Sequence, residues 1–342
     1  RPPVGLLWRR QQAEGGLRRR LGELGRRLIA NGRVAALLLA GGEGSRLGIA
    51  GPKGNVVFGP QDDRTLYRIL VERIRVASRG ASRPVPLYVL VSPRTREATE
   101  AAFADSDAFG HGMANVHIIE QGTLPVLDAE GRALLAGPGA LARAPDGHGG
   151  VHLALQREGV LARLLADGVD VLSTFQVDNP LGRPLDPVML GWMLERGADV
   201  VTKVVRKATP EERVGVLARD IHGRTRLVEY SELPEEGTEE LVMGSIAIHG
   251  FSVRWLHDLL AGGFDLPLHR AHKKVPIWTS EAGLQQPDAP NAYKLERFLF
   301  DVFPEAARVE VHEVPRAWEF APVKNAEGVD SLVSSRELVE AE

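Results

Sequence analysis

Short apolar runs that alternate with helical segments are the feature that most constrains the fold of this 342-residue chain. The runs are typical of buried strands, and they cover residues 34–40, 86–91, 116–120, 169–177 and 199–205. Two intervening segments, 65–77 and 153–165, have the apolar spacing of helices. Strands and helices that alternate along a chain build a mostly parallel sheet covered by helices. We therefore predict an α/β sandwich.

The pattern changes near both ends, which predicts a large central domain with two short terminal segments. Residues 1–33 are rich in arginine and carry leucines on one helical stripe. This favours an amphipathic helix packed on the main domain over a helix for a partner or a membrane. Residues 34–320 form the predicted central domain, in which 213–251 change to short strands and predict a mixed or antiparallel extension of the sheet. Residues 321–342 predict a short, helical C-terminal tail.

The composition argues against nucleic acid or an anionic membrane as a partner, and any polyanion must be held by a local site. The chain has 42 basic and 45 acidic residues, so no overall positive field attracts nucleic acid or an anionic membrane. The lack of cysteine excludes disulfides, thiolate metal sites and cysteine nucleophiles, and the histidines lack zinc-binding spacing. No apolar run approaches the roughly 20 residues of a membrane helix, and no signal-peptide pattern precedes the first strand. We expect a cytoplasmic protein without nucleic-acid or membrane partners.

A glycine-rich loop follows the first predicted strand and is the strongest local signal. Residues 39–54 read LAGGEGSRLGIAGPKG, with Arg46 in the middle and Lys53 near the end. Glycine lets backbone N–H groups approach a phosphate closely, because no β carbon stands in the way. The loop is neither a Walker loop, since Lys53 follows proline, nor a dinucleotide fingerprint, since Leu47 replaces the third glycine. A backbone cradle with two cations suits a triphosphate under attack; the alternative is a plain glycine-rich turn.

An aspartate ends another predicted strand, at the position where open α/β sheets bind their ligands. Asp178 directly follows the run 169–177. A carboxylate oxygen there can hold Mg²⁺ against a phosphate and neutralise charge in the transition state. The alternative is that Asp178 caps the turn that begins at Asn179. Lys203, at the end of a further apolar run, is predicted either to reach a phosphate or to lie on a solvated strand end.

Six further motifs follow the glycine loop in order. They are residues 120–125 (EQGTLP), 144–150 (APDGHGG), 177–179 (VDN), 228–232 (VEYSE), 273–276 (KKVP) and 322–326 (PVKNA). With the GGxGxRLG loop and its Pro-Lys pair, they resemble the UDP-sugar pyrophosphorylases, in particular their UDP-N-acetylglucosamine branch. The resemblance implies a Rossmann-like, GT-A-like nucleotidyltransferase fold, a three-layer sandwich with a mixed, mostly parallel central sheet. It also implies UTP and a sugar 1-phosphate as substrates, UDP-sugar and pyrophosphate as products, and Mg²⁺ as cofactor.

The resemblance also implies residues for each part of the site. Arg46, Lys53 and Lys324 are the implied catalytic residues, and Asp178 is the implied Mg²⁺ ligand. The implied nucleotide site consists of Ala40, Gly41, Gly42, Gly44, Gln121, Pro145, Asp146 and Gly147. The implied sugar site consists of His148, Asn179, Gly215, Glu229, Ser245, Lys273 and Lys274. In the predicted reaction the sugar phosphate attacks the α-phosphorus of UTP in line, without a covalent enzyme intermediate.

Two departures from the family pattern leave the sugar open. His148 stands where the N-acetylglucosamine branch commonly has asparagine, and Ser245 lies where an asparagine-bearing strand is usual. We interpret His148 as a sugar or phosphate contact, because an anionic sugar phosphate attacks without needing a general base. Glu229 is interpreted as a sugar-hydroxyl acceptor or as a surface glutamate. N-acetylglucosamine 1-phosphate is the preferred substrate; the alternatives are a UDP-glucose or broad-specificity enzyme, an enzyme for another nucleotide, and a non-catalytic UDP-sugar sensor. The number of subunits is left open.

Overall fold

The computed structural model describes residues 7–9, 15–59, 63–234 and 236–340. Its strands are β1 (Leu7–Arg9), β2 (Val34–Leu39), β3 (Leu87–Val91), β4 (Val116–Glu120), β5 (Thr123–Pro125), β6 (Leu135–Gly137), β7 (Ala140–Leu141), β8 (Arg143–Pro145), β9 (Val171–Gln176), β10 (Val200–Arg206), β11 (Val216–Arg219), β12 (Thr225–Val228), β13 (Met243–Ser252), β14 (His269–Lys273), β15 (Ile277–Thr279), β16 (Gly283–Gln285), β17 (Ala292–Glu296) and β18 (Val309–Glu313). Its α-helices are α1 (Gly15–Ala30), α2 (Leu66–Ala77), α3 (Arg96–Asp105), α4 (Asp107–Gly110), α5 (Gly150–Arg157), α6 (Val160–Ala166), α7 (Pro187–Arg196), α8 (Val253–Ala261), α9 (Arg316–Glu319) and α10 (Leu332–Glu340).

The central sheet has the strand order β1-β18-β10-β13-β9-β2-β3-β4, and β11 and β12 extend from β13. Strands β1, β18 and β10 are mutually parallel, as are β9, β2, β3 and β4. Strand β13 lies between these two groups and is antiparallel to β10 and to β9. The predicted mixed, mostly parallel sheet is therefore confirmed. Because β13 runs in the opposite direction, its first residues lie at the carboxyl ends of β9 and β10.

Helices cover both faces of the sheet, so that β2 is buried along its whole length. Ala36 and Leu38 of β2 belong to a core that includes α2, α3 and α7. Ala35, Leu37 and Leu39 belong to a second core with α5, α6 and α8. Successive side chains of a strand point to opposite faces, so the two cores lie on opposite sides of one sheet. This is the predicted three-layer α/β sandwich.

Helix α1 lies on the central domain and crosses α7 at very short range. A β carbon at Gly25 would lie 1.8 Å from the backbone oxygen of Pro187, and one at Gly191 would lie 1.9 Å from that of Leu21. Only glycine permits this approach at either position. Within the predicted helical segment 1–33, α1 covers residues 15–30, but the prediction is wrong at residues 7–9, which form β1 and pair with β18. The other residues that precede α1 lie outside the described part of the chain, and the proposed domain boundaries stay predictions.

Two predicted helical segments have different outcomes. Residues 65–77 form α2, which begins after Thr65, whose hydroxyl accepts a hydrogen bond from the Arg68 amide at 3.3 Å. The helical pattern over 153–165 is confirmed, but it belongs to two helices, because Gly159 adopts a left-handed conformation (φ 63°) and separates α5 from α6. None of the helices in the described ranges is long and apolar enough to cross a membrane.

Candidate active site

A cavity of about 810 Å³, here called the main cavity, opens at the carboxyl ends of β2 and β9. Residues from distant parts of the sequence line it. Among them are the predicted site residues Arg46, Lys53, His148, Asp178, Gly215, Glu229, Ser245 and Lys324. The carboxyl edge of a parallel sheet is where α/β proteins bind ligands, so the main cavity is the candidate active site.

The glycine loop folds back on itself and carries two cations to the main cavity. The Gly44 amide donates to the Gly51 carbonyl at 2.9 Å, and the Lys53 amide donates to the Gly42 carbonyl at 3.0 Å. A β carbon at Gly44 would lie 2.3 Å from the Ile49 side chain, so the closed loop requires glycine at this position. Short 3₁₀ helices over Ser45–Leu47 and Lys53–Asn55 then position Arg46 and Lys53. The loop is therefore an ordered support for both cations.

Asp178 lies in a charged part of the wall of the main cavity, which also contains Lys53 and Lys324. Its carboxylate lies 3.9 Å from the Lys53 ammonium, and both side chains are largely buried. The Val323 amide donates to the Asp178 carbonyl at 2.7 Å, which fixes the C-terminal segment beside the end of β9. Lys324, the next residue, lies 3.8 Å from the Asp330 carboxylate. The fold thus brings Lys53, Asp178 and Lys324, from distant parts of the sequence, into the wall of one cavity.

The polar residues predicted for the sugar form a second wall of the main cavity. The Ser245 amide donates to the Gly215 carbonyl at 2.8 Å. A β carbon at Gly215 would lie 3.1 Å from the Glu229 carboxylate, so glycine leaves room for that side chain. Burial raises the pKa of Glu229, while the nearby positive charge of Lys324 opposes this effect. Glu229 is therefore half-buried in the cavity wall, and the interpretation as an ordinary surface glutamate does not describe its position.

His148 is held as a neutral hydrogen-bond donor. Its Nδ1 accepts a hydrogen bond from the Leu299 amide at 3.0 Å, and its ring stacks on Phe298 with centroids 5.4 Å apart. Burial lowers the pKa of His148 to about 4, and the charges of His152 and His269 act in the same direction. A neutral imidazole whose Nδ1 accepts carries its proton on Nε2. At neutral pH His148 can donate to a ligand oxygen, and its remaining proton makes it unsuited to act as a base.

The buried neutral histidines predict a loss of stability in mild acid. Burial lowers the pKa of His148 and His152 to about 4 and that of His249 to about 3. The unfolded chain binds these protons below about pH 6.5, whereas the folded chain does not until the pH reaches the lowered values. The free energy of unfolding should therefore fall as the pH decreases from about 6.5 to about 4, by at most about 1.4 kcal/mol per unit for each histidine.

Urea unfolding of wild-type protein and of His249→Gln across this pH range measures the effect. The variant lacks one of the three groups and should show a shallower decrease than the wild type. The matched control, His272→Gln, changes a side chain exposed on β14 and should retain the wild-type slope. Identical slopes in all three proteins would contradict the assignment.

The residues predicted for the nucleotide lie beside the main cavity, outside its wall. They are Ala40, Gly41, Gly42, Gly44, Gln121, Pro145, Asp146 and Gly147. A β carbon at Gly41 would lie 2.9 Å from the Gln121 side-chain oxygen, and the Asp146 amide donates to the Gly122 carbonyl at 3.0 Å. Two of the predicted segments thus contact each other. They continue from Leu39 and His148, which line the main cavity.

Asp146 is a buried carboxylate within this group. A β carbon at Gly122 or at Gly150 would lie 2.6 or 2.0 Å from its oxygens, so both neighbours must be glycine. Burial raises the pKa of Asp146, and the positive charge of Arg297 opposes this effect. Its Oδ1 has no hydrogen-bond partner within the described ranges. A buried acceptor without a partner is costly, which marks this place as one that can receive a donor.

Comparison with known proteins identifies the family. Residues 23–341 match the family described as UTP–glucose-1-phosphate uridylyltransferase. The chain belongs to this family. The resemblance that the motifs predict is thereby confirmed.

The relatives and the solved structures agree with this assignment. The chain is 39% identical over 318 residues to UDP-N-acetylhexosamine pyrophosphorylase-like protein 1 of Xenopus tropicalis, covering 88% of this chain and 62% of the relative. It is 36% identical over 341 residues to UDP-N-acetylglucosamine diphosphorylase 1 of Arabidopsis thaliana, covering 93% of this chain and 66% of the relative. The crystal structure of the UDP-N-acetylglucosamine pyrophosphorylase of Trypanosoma brucei, with a bound inhibitor, matches 99% of this chain and 72% of its own, with 29% identity and a TM-score of 0.85. The chain thus spans roughly two thirds of the two curated relatives.

Three of the residues predicted for the sugar, Asn179, Lys273 and Lys274, lie outside the wall of the main cavity. The buried Asn179 side chain donates to the Glu319 carbonyl at 2.8 Å and accepts from the Ala321 amide at 3.1 Å. Both the donor and the acceptor of the Asn179 side chain therefore hold residues 319–321, which precede Lys324 in the cavity wall. Lys273 and Lys274 are exposed at the end of β14, which pairs only with β17 among the described strands. The structure brings none of the three to the cavity.

Lys203 has a different position from either one predicted. Its ammonium is completely buried, 3.0 Å from the Asp186 carboxylate, and it is also hydrogen-bonded to the Glu319 carboxylate. The Arg183 carbonyl accepts a further hydrogen bond at 3.1 Å. The prediction of a solvated strand end is wrong, because β10 is buried on both faces at this position.

The wall of the main cavity also contains an arginine that the sequence did not reveal. Arg316 lines the main cavity and donates two hydrogen bonds to Glu212, at 2.5 and 3.2 Å. Its guanidinium also lies 5.0 Å from the centre of the Phe320 ring. The two members of the ion pair are 104 residues apart, and neither belongs to a recognised motif. In a chain rich in arginine, no local signal distinguishes this residue from a surface arginine.

Proposed function

We propose that the protein transfers the uridylyl group of UTP to N-acetylglucosamine 1-phosphate and releases pyrophosphate. The observation that carries the proposal is that Lys53, paired with Asp178, and Lys324 line the same cavity at the carboxyl end of β9. Cations beside a carboxylate at the end of a strand suit the charge of two phosphate groups and a metal ion. The proposed sugar follows the names of the relatives, which specify N-acetylglucosamine or N-acetylhexosamine.

The proposed reaction is a direct displacement. A phosphate oxygen of the sugar 1-phosphate attacks the α-phosphorus of UTP, and the bond from that phosphorus to the bridging oxygen of pyrophosphate breaks. The attacking oxygen is already anionic, so no residue has to remove a proton from it. Arg46 and Lys53 would neutralise the triphosphate and the departing pyrophosphate, while Lys324 would hold the sugar phosphate. Catalysis would then come from positioning and electrostatic stabilisation.

Asp178 is the residue proposed to hold Mg²⁺. Its carboxylate lines the main cavity, and hard oxygen donors are the ligands that this ion prefers. No cluster of three or more acidic, histidine or cysteine side chains suited to a metal lies within the described ranges. A single carboxylate fits Mg²⁺, because this ion takes most of its remaining ligands from phosphates and water. When bound, the ion supplies positive charge to the phosphate oxygens.

Separate groups of residues would bind the base and the sugar. Gln121, Asp146 and the neighbouring glycines would hold uracil, and the buried, unpartnered oxygen of Asp146 suits a donor on the base. At the sugar, His148 would donate to an oxygen and Glu229 would accept from a hydroxyl. Ser245 would complete this side of the site. These assignments combine hydrogen-bond donors with hydrogen-bond acceptors, and the hydroxyl groups of a sugar need both.

Pyrophosphate release tests the proposal. The purified protein is incubated with Mg²⁺, UTP and one of four acceptors: the 1-phosphates of N-acetylglucosamine, N-acetylgalactosamine, glucose or galactose. We expect the fastest release with N-acetylglucosamine 1-phosphate, and none when the acceptor is left out. Release with glucose 1-phosphate alone would favour the UDP-glucose alternative. ATP, GTP and CTP in place of UTP test the choice of nucleotide.

A non-catalytic UDP-sugar sensor is the second candidate. It would show tight binding of UDP-sugar by calorimetry and no pyrophosphate release with any acceptor. The joint presence of Arg46, Lys53 and Asp178 in the wall of one cavity favours the enzyme, because a sensor has no need to keep the groups that stabilise a leaving pyrophosphate.

A further inference from the structure

A histidine outside the main cavity bridges two carboxylates. His269, the first residue of β14, places Nδ1 2.5 Å from the Glu232 carboxylate and Nε2 3.0 Å from the Asp301 carboxylate. Its ring stacks on Phe298, with centroids 4.2 Å apart and planes inclined by 28°. The three charged side chains come from separate segments of the chain. The cluster therefore joins parts of the structure that the sequence does not connect locally.

One side of the bridge leads to the wall that carries Glu229. Glu232 ends a single 3₁₀ turn, Tyr230–Glu232, and its amide donates to the Glu229 carbonyl at 3.0 Å. Glu229 and Tyr230 both line the main cavity. Glu232 is thus rigidly connected to the proposed sugar-hydroxyl acceptor, one turn away. A shift of Glu232 would move Glu229.

The other side of the bridge leads to the wall that carries His148. Asp301 also accepts a hydrogen bond from the Phe298 amide at 3.0 Å, at the start of the 3₁₀ helix Leu299–Glu305. The Leu299 amide, one residue further on, donates to Nδ1 of His148 at 3.0 Å. Leu299 and His148 both line the main cavity. His269 therefore connects the two walls that are proposed to contact the sugar.

The geometry favours a doubly protonated His269. Both ring nitrogens lie within hydrogen-bond distance of carboxylate oxygens, and only the imidazolium has two donors. Burial opposes this charge, but the hydrogen bond that His269 donates to Glu232 and the negative charge of Asp301 outweigh it, so the pKa of His269 is raised. The charged or titratable groups that face it or interact with it electrostatically are Glu229, Glu232, Glu296, Asp301 and His148. Four of these five are carboxyl groups, which favour a cation at the centre.

We infer that His269 is a positioning residue that sets the distance between the Glu229 wall and the His148 wall and thereby determines the affinity for the sugar. The inference rests on the proposed function. His269 does not line the main cavity and touches none of the proposed phosphate-binding residues. Its loss should therefore affect the sugar and leave the nucleotide unaffected.

The test is His269→Gln, which keeps one side-chain donor but cannot carry the charge or bridge both carboxylates. We expect the KM for N-acetylglucosamine 1-phosphate to rise about tenfold, the effect of losing one charged hydrogen bond, with kcat and the KM for UTP within about twofold of wild type. Glu232→Gln should have the same effect, and combining both changes should add little. The matched control, His257→Gln, alters a half-buried histidine of α8 whose side chain bonds only the adjacent Asp258 among the described residues, and it should leave all three constants unchanged.

Calorimetry separates this inference from the proposed function, because it needs no turnover. The affinity for UDP-N-acetylglucosamine should fall about tenfold in His269→Gln, while the affinity for UDP should remain at the wild-type value. An inactive wild type with this selective loss would contradict the proposed function and support the inference. Equal losses for both ligands, or no loss in either His269→Gln or Glu232→Gln, would overturn the inference. Glu232 is largely exposed on its turn, so its substitution leaves the core intact if the His269 variant unfolds.

Discussion

Replacing Arg46 or Lys53 by alanine is expected to lower turnover on the order of a hundredfold or more, the cost of losing one preorganised charged or donor group at a reacting centre. Lys53 should have the stronger effect on the chemical step, because its ammonium lies beside Asp178, where the α-phosphate and the metal ion are proposed to bind. Steady-state kinetics with saturating UTP and sugar phosphate measure kcat in each variant. The folded structure should be retained, since both side chains lie in the cavity wall rather than in the core.

A matched control distinguishes a local role from a general effect of charge. Arg27→Ala removes an exposed cation from α1, where it pairs only with Glu23 within the described part of the chain, and it should leave kcat unchanged. Near-normal turnover in both Arg46→Ala and Lys53→Ala would remove the assignment of the glycine loop to the triphosphate. Equal losses in the control would indicate a long-range effect of net charge.

Lys203→Met is expected to destabilise the fold by about 3–5 kcal/mol, because it leaves two buried carboxylates without their shared cation. Asp186 and Glu319 both bond the Lys203 ammonium, and neither side chain has appreciable contact with solvent. Asp186 also caps α7 by accepting from the Val188 amide at 2.9 Å. Glu319 directly precedes the segment that reaches Lys324. Loss of the cation should therefore weaken both the core and the part of the main cavity that is lined by Phe320, Pro322 and Lys324.

Urea unfolding at neutral pH measures the change for Lys203→Met. The control is Lys273→Met, which removes an exposed lysine on β14 and should change the free energy of unfolding by less than about 0.5 kcal/mol. If Lys203→Met is as stable as the control, the buried ion pairs are not a major part of the stability of this fold. The double variant Lys203→Met/Glu319→Gln should recover part of the loss, because it removes one of the two buried carboxylates that Lys203 pairs with.

The parts of the site that were predictable from the sequence are those in which local residues determine local structure. The apolar run of β2 and the glycines after it indicate a buried strand and a tight loop, and Gly44 shows why: a β carbon would clash with Ile49. Asp178 was equally predictable from the sequence, because the residue that follows a buried parallel strand lies at the carboxyl edge of the sheet. Lys324 came from motif order alone, and the Val323–Asp178 hydrogen bond gives its physical reason.

The parts that were not predictable depend on contacts between distant residues. A mixed or antiparallel extension was predictable over 213–251, but the place of β13 between β9 and β10 is set by pairing with both strands, and no property of residues 243–252 reveals it. Lys203 lies in a run that reads as a strand end, but its partner Glu319 is 116 residues away. Asn179 and the Arg316–Glu212 pair present the same difficulty. The role of a charged or polar residue inside a fold depends on its partners in three dimensions, and these partners are distant in the sequence.

The measurement that tests the central claim most directly is isotope exchange between labelled pyrophosphate and UTP. Direct displacement by the sugar phosphate predicts that label enters UTP only when N-acetylglucosamine 1-phosphate and Mg²⁺ are both present, because only UDP-sugar can return its uridylyl group to pyrophosphate. Exchange without any sugar phosphate would reveal a covalent uridylyl-enzyme and contradict the proposed mechanism. Absence of exchange under every condition, with UDP-sugar still bound, would contradict the proposed activity itself.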